Sequence, residues 1–205
     1  MPSEAEFEPG ESPFHCKGTV WIGIRNFVEE RVAGGVTAVN REVHDPEVEA
    51  YFEQMFMPSS WYDIFPILPV SKAIASVMGV AHAEYVKQSA TFHAEQDMKG
   101  IYKLLGKLPS PLAVCRRFAS MGKQMWDFID IEIVREEERK VEACASGLPQ
   151  VLAPWWLRAS ECYTNVVLKA SGAKNGRVLW QRPQPAGSAH GITLVRVPSV
   201  TAWDE

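Results

Sequence analysis

Apolar residues recur every three or four positions along most of the first 128 residues, which is the spacing of one helical face. In the first such segment Trp21, Ile24 and Val28 share a face, and the glycine pair at 34–35 ends it. Asp45 followed by a proline predicts the start of a second helix, because aspartate caps free amides and proline has none to satisfy. Further helices are predicted at 69–79, 81–105, 110–128 and 149–171.

The period changes to two after this helical half. Apolar and acidic residues alternate from 129 to 133, which predicts a half-buried strand, and residues 141–145 alternate again after a charged turn. Two more strands are predicted at 177–183 and 191–198, joined by a loop rich in proline, glycine and serine. This order indicates an α+β fold, with about six helices packed on a small, mostly antiparallel sheet of about four strands and a ββαββ C-terminal half.

The same patterns divide the chain. Residues 1–17 are acidic and show no periodicity, so we predict a flexible N-terminal arm. Residues 18–198 are predicted to form a single α+β ligand-binding domain, and residues 199–205 a tail.

Composition narrows the function classes. The chain has 205 residues, 46% of them hydrophobic, and a formal net charge of −4, which argues against a protein held to nucleic acid mainly by phosphate contacts. No apolar run approaches the roughly 20 residues that span a bilayer. The N-terminal segment has no apolar core like that of a secretory signal, so a cytoplasmic location is expected.

Several short motifs are similar to those of a known family. They are the Trp61-Tyr62-Asp63 turn, the segment LGKLPSPLAVCRRF at 105–118 and SGAK at 171–174 before a strand. With the ββαββ order, they resemble an uncharacterised myxobacterial family. That family shares its layout with 4-vinyl-reductase-like small-molecule-binding domains and haem–nitric-oxide sensor domains. The resemblance covers roughly residues 18–198 and implies an α+β ligand-binding domain of a kind that often serves as a sensor.

The haem sensors in that comparison hold iron through a helical histidine and clamp the propionates with a Tyr-x-Ser-x-Arg motif. This sequence has no such motif, since the stretch that begins at Tyr163 lacks the arginine. His93 could supply an iron ligand, but without a recognisable clamp we predict that the protein carries no haem. We also predict no metal, because the histidines and cysteines show no ligand-like spacing.

His93 and Asp97 form the first candidate site. They stand four residues apart at the edge of an apolar stripe on the helix predicted at 81–105, where they can hydrogen-bond to each other. Such a pair could orient a ligand or exchange protons with it. The alternative is a pair on the solvated surface of the helix.

Aromatic residues form the second candidate site. Trp61, Tyr62 and Phe65 precede a proline-broken segment, and Trp126 ends a predicted helix. Together they could wall a pocket, since aromatic side chains often line ligand cavities. The alternative is a hydrophobic plug between helices.

These observations favour a cytoplasmic sensory domain that binds a small hydrophobic or aromatic molecule in an aromatic-lined pocket. The first alternative is a small enzyme, an isomerase or cyclase that uses His93 and Asp97. The second is an interaction module whose exposed anchor is Trp155 or Trp156. A Trp-rich helix and an antiparallel sheet edge also predict a homodimer.

Overall fold

The computed structural model describes residues 7–105 and 110–204 and confirms the α+β prediction. Seven helices and two sheets occur within those residues. The helices are α1 (Gly18–Arg31), α2 (Gly35–Val43), α3 (Pro46–Glu53), α4 (Ile67–Met78), α5 (His82–Leu105), α6 (Pro111–Met125) and α7 (Ala153–Ala170). The strands are β1 (His15–Lys17), β2 (Trp61–Asp63), β3 (Asp130–Glu137), β4 (Lys140–Pro149), β5 (Lys174–Trp180), β6 (Gln184–Ala189) and β7 (Ile192–Asp204).

Local capping explains where several helices begin. The Asp45 carboxylate accepts hydrogen bonds from the amides of Glu47 and Val48 at 3.0 and 3.3 Å, as its sequence context predicts. Helix α2 was not predicted. It begins directly after Gly34, whose φ of 84° reverses the chain, so the glycine pair that ends α1 also starts a new helix.

Strand β7 is the centre of the larger sheet. The order is β3-β4-β7-β5, all antiparallel, and β6 pairs with the first part of β7. Two sequence predictions were wrong here. Residues 199–204 are not a tail but the end of β7, where Ser199 and Thr201 are buried, and the predicted loop at 184–190 contains β6.

The predicted N-terminal arm was also wrong for residues 10–17, whereas residues 1–6 lie outside the described part of the chain. Phe14 and Cys16 are fully buried, and β1 pairs with β2. The buried carboxylate of Asp63 holds this segment in place. It accepts hydrogen bonds from the amides of Gly10 and Ser12 at 3.0 and 3.1 Å, and from the Ser12 hydroxyl.

Asp63 also organises the helices around it. Its carboxylate accepts from the amide of Phe65 at 2.8 Å, which shapes the turn after β2. Its backbone carbonyl accepts from the indole of Trp21 on α1 at 3.1 Å and from the hydroxyl of Tyr51 on α3 at 2.8 Å. One residue therefore joins the N-terminal segment, α1 and α3.

We expect Asp63→Ala to lower the free energy of unfolding by about 3 kcal/mol or more, because it leaves several buried donors without an acceptor. Urea unfolding at neutral pH measures the loss. Asp130→Ala is the matched control, since that exposed carboxylate pairs with exposed Lys123 at 3.0 Å. Equal losses in the two variants would contradict the role assigned to Asp63.

Candidate functional site

The side chain of His93 lies between α5 and α1. A Cβ added to Gly23 on α1 would stand 2.8 Å from His93 Nε2, so only glycine lets the imidazole approach the helix this closely. Nε2 is buried and makes no hydrogen bond within the described residues. Burial lowers the pKa of His93, and the backbone of Gly23 and the charge of Asp97 oppose that effect in part. Burial therefore favours the neutral imidazole, and its Nε2 has no hydrogen-bond partner at normal distance among the described residues.

Asp97 faces a different element. Its carboxylate accepts a hydrogen bond of 2.7 Å from the hydroxyl of Tyr163 on α7. His93 points at α1 instead, so the structure does not join the two residues as the helical spacing suggested. An acid–base pair of His93 and Asp97 is absent from this arrangement.

Two of the four aromatic candidates belong to one chain of ring contacts. Phe65 stacks on Phe14 with 5.5 Å between centroids, and Phe14 meets Phe128 edge-on at 5.5 Å. Phe128 then contacts Trp126 at 6.0 Å, and Trp126 contacts Trp155 at 6.2 Å. These rings tie the N-terminal segment to the start of α7.

Trp61 and Tyr62 lie outside that chain. Trp61 is exposed, and the Lys17 ammonium sits 3.8 Å from the centroid of its ring. The Tyr62 hydroxyl accepts from the amide of Met57 at 2.8 Å and holds the loop between α3 and β2. Neither residue lines the two cavities described next.

Among the described residues of the C-terminal half, the structure shows an open recess and a smaller cavity. The recess, of about 360 Å³, lies between α7 and β5. The cavity, of about 40 Å³, lies between α6, α7 and the inner face of the sheet. Trp180 lines both, and sequence reasoning missed it because nothing in its local pattern distinguishes it from other strand tryptophans.

The prediction that Trp155 or Trp156 is an exposed anchor for a partner was wrong. Trp155 and Trp156 are 7% and 4% exposed, so neither is a surface anchor for a partner. Trp155 packs on Trp126, whereas Trp156 packs edge-on against Trp180 with 5.3 Å between centroids. Both belong to the packing between α7 and the rest of the molecule.

Two cysteines of the C-terminal half, Cys115 and Cys162, are poorly suited to act as nucleophiles. Burial raises the pKa of the Cys115 thiol to about 11 and the pKa of Cys162 above its usual value. Both thiols are therefore protonated at neutral pH, whereas a nucleophilic cysteine needs a lowered pKa.

Within the described residues, no three side chains of histidine, cysteine, aspartate or glutamate converge as metal ligands would. None of the helices in the described part of the chain is both long and apolar enough to pass through a bilayer.

Neither a protein-family model nor a curated protein matches this sequence. Solved structures do match. A structure described as probing haem distortion in the H-NOX family aligns with a TM-score of 0.62 at 11% identity, over 92% of this chain and 95% of that one. The Fe(II) unliganded H-NOX protein from K. algicida aligns with a TM-score of 0.58 at 11% identity, over 92% and 97%.

A third structure is described as an oxygen-binding H-NOX domain related to soluble guanylate cyclases. It aligns with a TM-score of 0.59 at 10% identity, over 90% of this chain and 94% of that one. This chain has the H-NOX fold. The likeness to haem–nitric-oxide sensor domains inferred from the sequence is thus confirmed at the level of architecture.

These H-NOX structures contradict the prediction that the protein has no cofactor, because they belong to haem-binding domains and so point to haem. The donor atom fits, since His93 offers a buried, neutral and unpartnered Nε2. The packing fits less well. The α1 backbone at Gly23 stands directly in front of that atom, so haem at His93 requires α1 to separate from α5.

We expect Gly23→Ala to destabilise the fold by about 1 to 3 kcal/mol, because its methyl group would overlap the His93 ring. Gly100→Ala on α5 is the matched control. A Cβ there meets nothing within 4 Å, so it should stabilise the helix by up to about 1 kcal/mol. Thermal unfolding measures both. If Gly23→Ala destabilises a His93→Ala background as much as it destabilises the wild type, the contact with His93 is not the cause.

The lowered pKa of His93 predicts a pH dependence. Below about pH 6.5 the unfolded chain takes up a proton at this residue that the folded chain resists, so stability is complete above that pH and falls as the pH drops. His82, less buried, adds to the loss in the same direction. Urea unfolding between about pH 8 and about pH 5 should show a shallower acid loss in His93→Gln than in the wild type. Parallel curves would contradict this.

Proposed function

We propose that this chain is a sensory domain that binds a small ligand, and that haem is its cofactor, held through His93. The observation that supports this is the match to H-NOX structures over about nine-tenths of both chains. A ligand that binds one arrangement of the elements better than another would shift the domain toward that arrangement.

His93 would hold the iron through Nε2. Apolar rings lie beside it, since Phe92 lies 6.0 Å from the His93 ring and Phe27 lies 5.7 Å from Phe92. Arg31, whose guanidinium lies 5.6 Å from the centre of the Phe92 ring, is a cation within this region. When bound, haem supplies an iron site at which a diatomic gas can coordinate.

The conformational requirement is part of the proposal. Because Gly23 occupies the space in front of Nε2, α1 would have to move away from α5 to admit the cofactor. Haem occupancy would then be read out as a displacement of α1, together with the N-terminal segment that Asp63 ties to it.

Haemin titration followed by absorption spectroscopy tests the proposal. We expect a Soret band that saturates at one haem per chain in the wild type and in His82→Ala, and no such band in His93→Ala. His82 is the matched control because it lies on the same helix and bonds to Ser71 rather than to α1.

A Soret band of equal strength in His93→Ala would contradict the assignment of the ligand. The absence of a band in every variant would contradict haem as the cofactor. The homodimer and the cytoplasmic location stay predictions of the sequence.

A further inference from the structure

Trp180 separates the two cavities of the C-terminal half. Its half-buried ring faces the open recess of about 360 Å³ on one side and the cavity of about 40 Å³ on the other. The recess alone is within the size range of small-molecule sites, whereas the inner cavity holds no more than a few waters. The two cavities therefore meet at this one ring.

The indole of Trp180 lacks a hydrogen-bond partner. Its Nε1 is shielded from solvent and has no acceptor among the described residues. Buried tryptophan N–H groups normally find a partner, so this donor favours any ring position that brings it to an acceptor. Trp156, which packs against the same ring, offers only an apolar edge.

The walls of the recess define what can enter. Pro154, Leu157 and Leu179 are apolar, and Leu179 is 50% exposed. The two charged side chains of the lining, Arg158 and Glu161, pair with each other at 3.2 Å. Because these charges neutralise each other, the recess favours an uncharged molecule over an ion.

The inner cavity is also mainly apolar. Its lining is mainly aliphatic and aromatic, with the buried hydroxyl residues Thr164, Ser199 and Thr201 as its polar members. The Ser199 hydroxyl already donates to the carbonyl of Ala143 at 3.4 Å. An apolar group fits this space better than a charged one.

We propose that the recess and the inner cavity form one site for a small, uncharged molecule with an apolar body and one hydrogen-bond acceptor, with Trp180 as its movable wall and donor. The site rests on the proposed small-ligand function but not on haem, because it lies at α7 and β5 rather than at His93.

Indole N–H signals in a ¹H–¹⁵N spectrum test the site, since the chain has seven tryptophans and Trp180→Phe identifies one signal by its loss. The probes are acetophenone, which carries a carbonyl acceptor, and ethylbenzene, which has a similar shape without one. We expect acetophenone to shift the Trp180 signal saturably and to bind about tenfold more tightly than ethylbenzene, the difference that one hydrogen bond makes. In Trp180→Phe the two probes should bind equally.

A charge in the recess should block the site. Leu179→Glu places a carboxylate at its wall and should weaken acetophenone binding by about tenfold or more. Val134→Glu is the matched control, because Val134 is 64% exposed on β3 at the opposite edge of the sheet. It should leave binding unchanged.

The failures are distinguishable. Two results would overturn this site and leave the small-ligand function standing. In the first, acetophenone shifts other indole signals saturably but not the Trp180 signal. In the second, Leu179→Glu binds acetophenone as tightly as the wild type does. No response of any signal to acetophenone would also overturn it. The haemin titration decides the cofactor independently of these results.

Discussion

The buried carboxylate and carbonyl of Asp63 set the geometry on which the helical half depends. The carboxylate holds the segment at 10–12, and the carbonyl receives the side chains of Trp21 and Tyr51 from two helices. Breaking these bonds would leave several buried donors without an acceptor, at a cost in the free energy of folding. Because Trp21 lies on α1 close to Gly23, the same anchor fixes which surface α1 presents to α5.

The surface of α1 at Gly23 packs against His93, the candidate ligand of the cofactor. A neutral imidazole with a free Nε2 is chemically ready to bind a metal, yet here it is closed off by backbone contact with Gly23. A closed contact of this kind can be opened by a ligand that gains more at His93 than the helix packing loses. The packing of Gly23 against His93 therefore controls access to Nε2.

The C-terminal half has a different character. Its sheet is built around β7, and α6 and α7 cover one face through a small second core that includes Val114, Val167 and Leu168. The amide of Val178 on β5 bonds to the side chain of Asn165 on α7 at 2.9 Å, which fixes the helix against the edge strand. Trp180 lies two residues further along that strand, where this attachment ends and the recess opens.

The sequence by itself determined the features that depend on neighbours within one turn or one strand. Asp45 as a cap, the long helix α5 and the β3–β4 hairpin follow from spacings of three, four and two residues, and the structure has them at the predicted places.

Only the tertiary structure could make strands of 184–189 and 199–204. Residues 184–189 are polar or small and form a strand by pairing with β7, whereas residues 199–204 form the end of β7 by pairing with β4 and β5. The same holds for the sites. The spacing of His93 and Asp97 suggested a pair. In the structure His93 packs against Gly23 on α1, whereas Asp97 accepts a hydrogen bond from Tyr163 on α7. Contacts between distant segments depend on which faces of the helices and strands meet after packing. Local periodicity along the sequence does not predict those contacts.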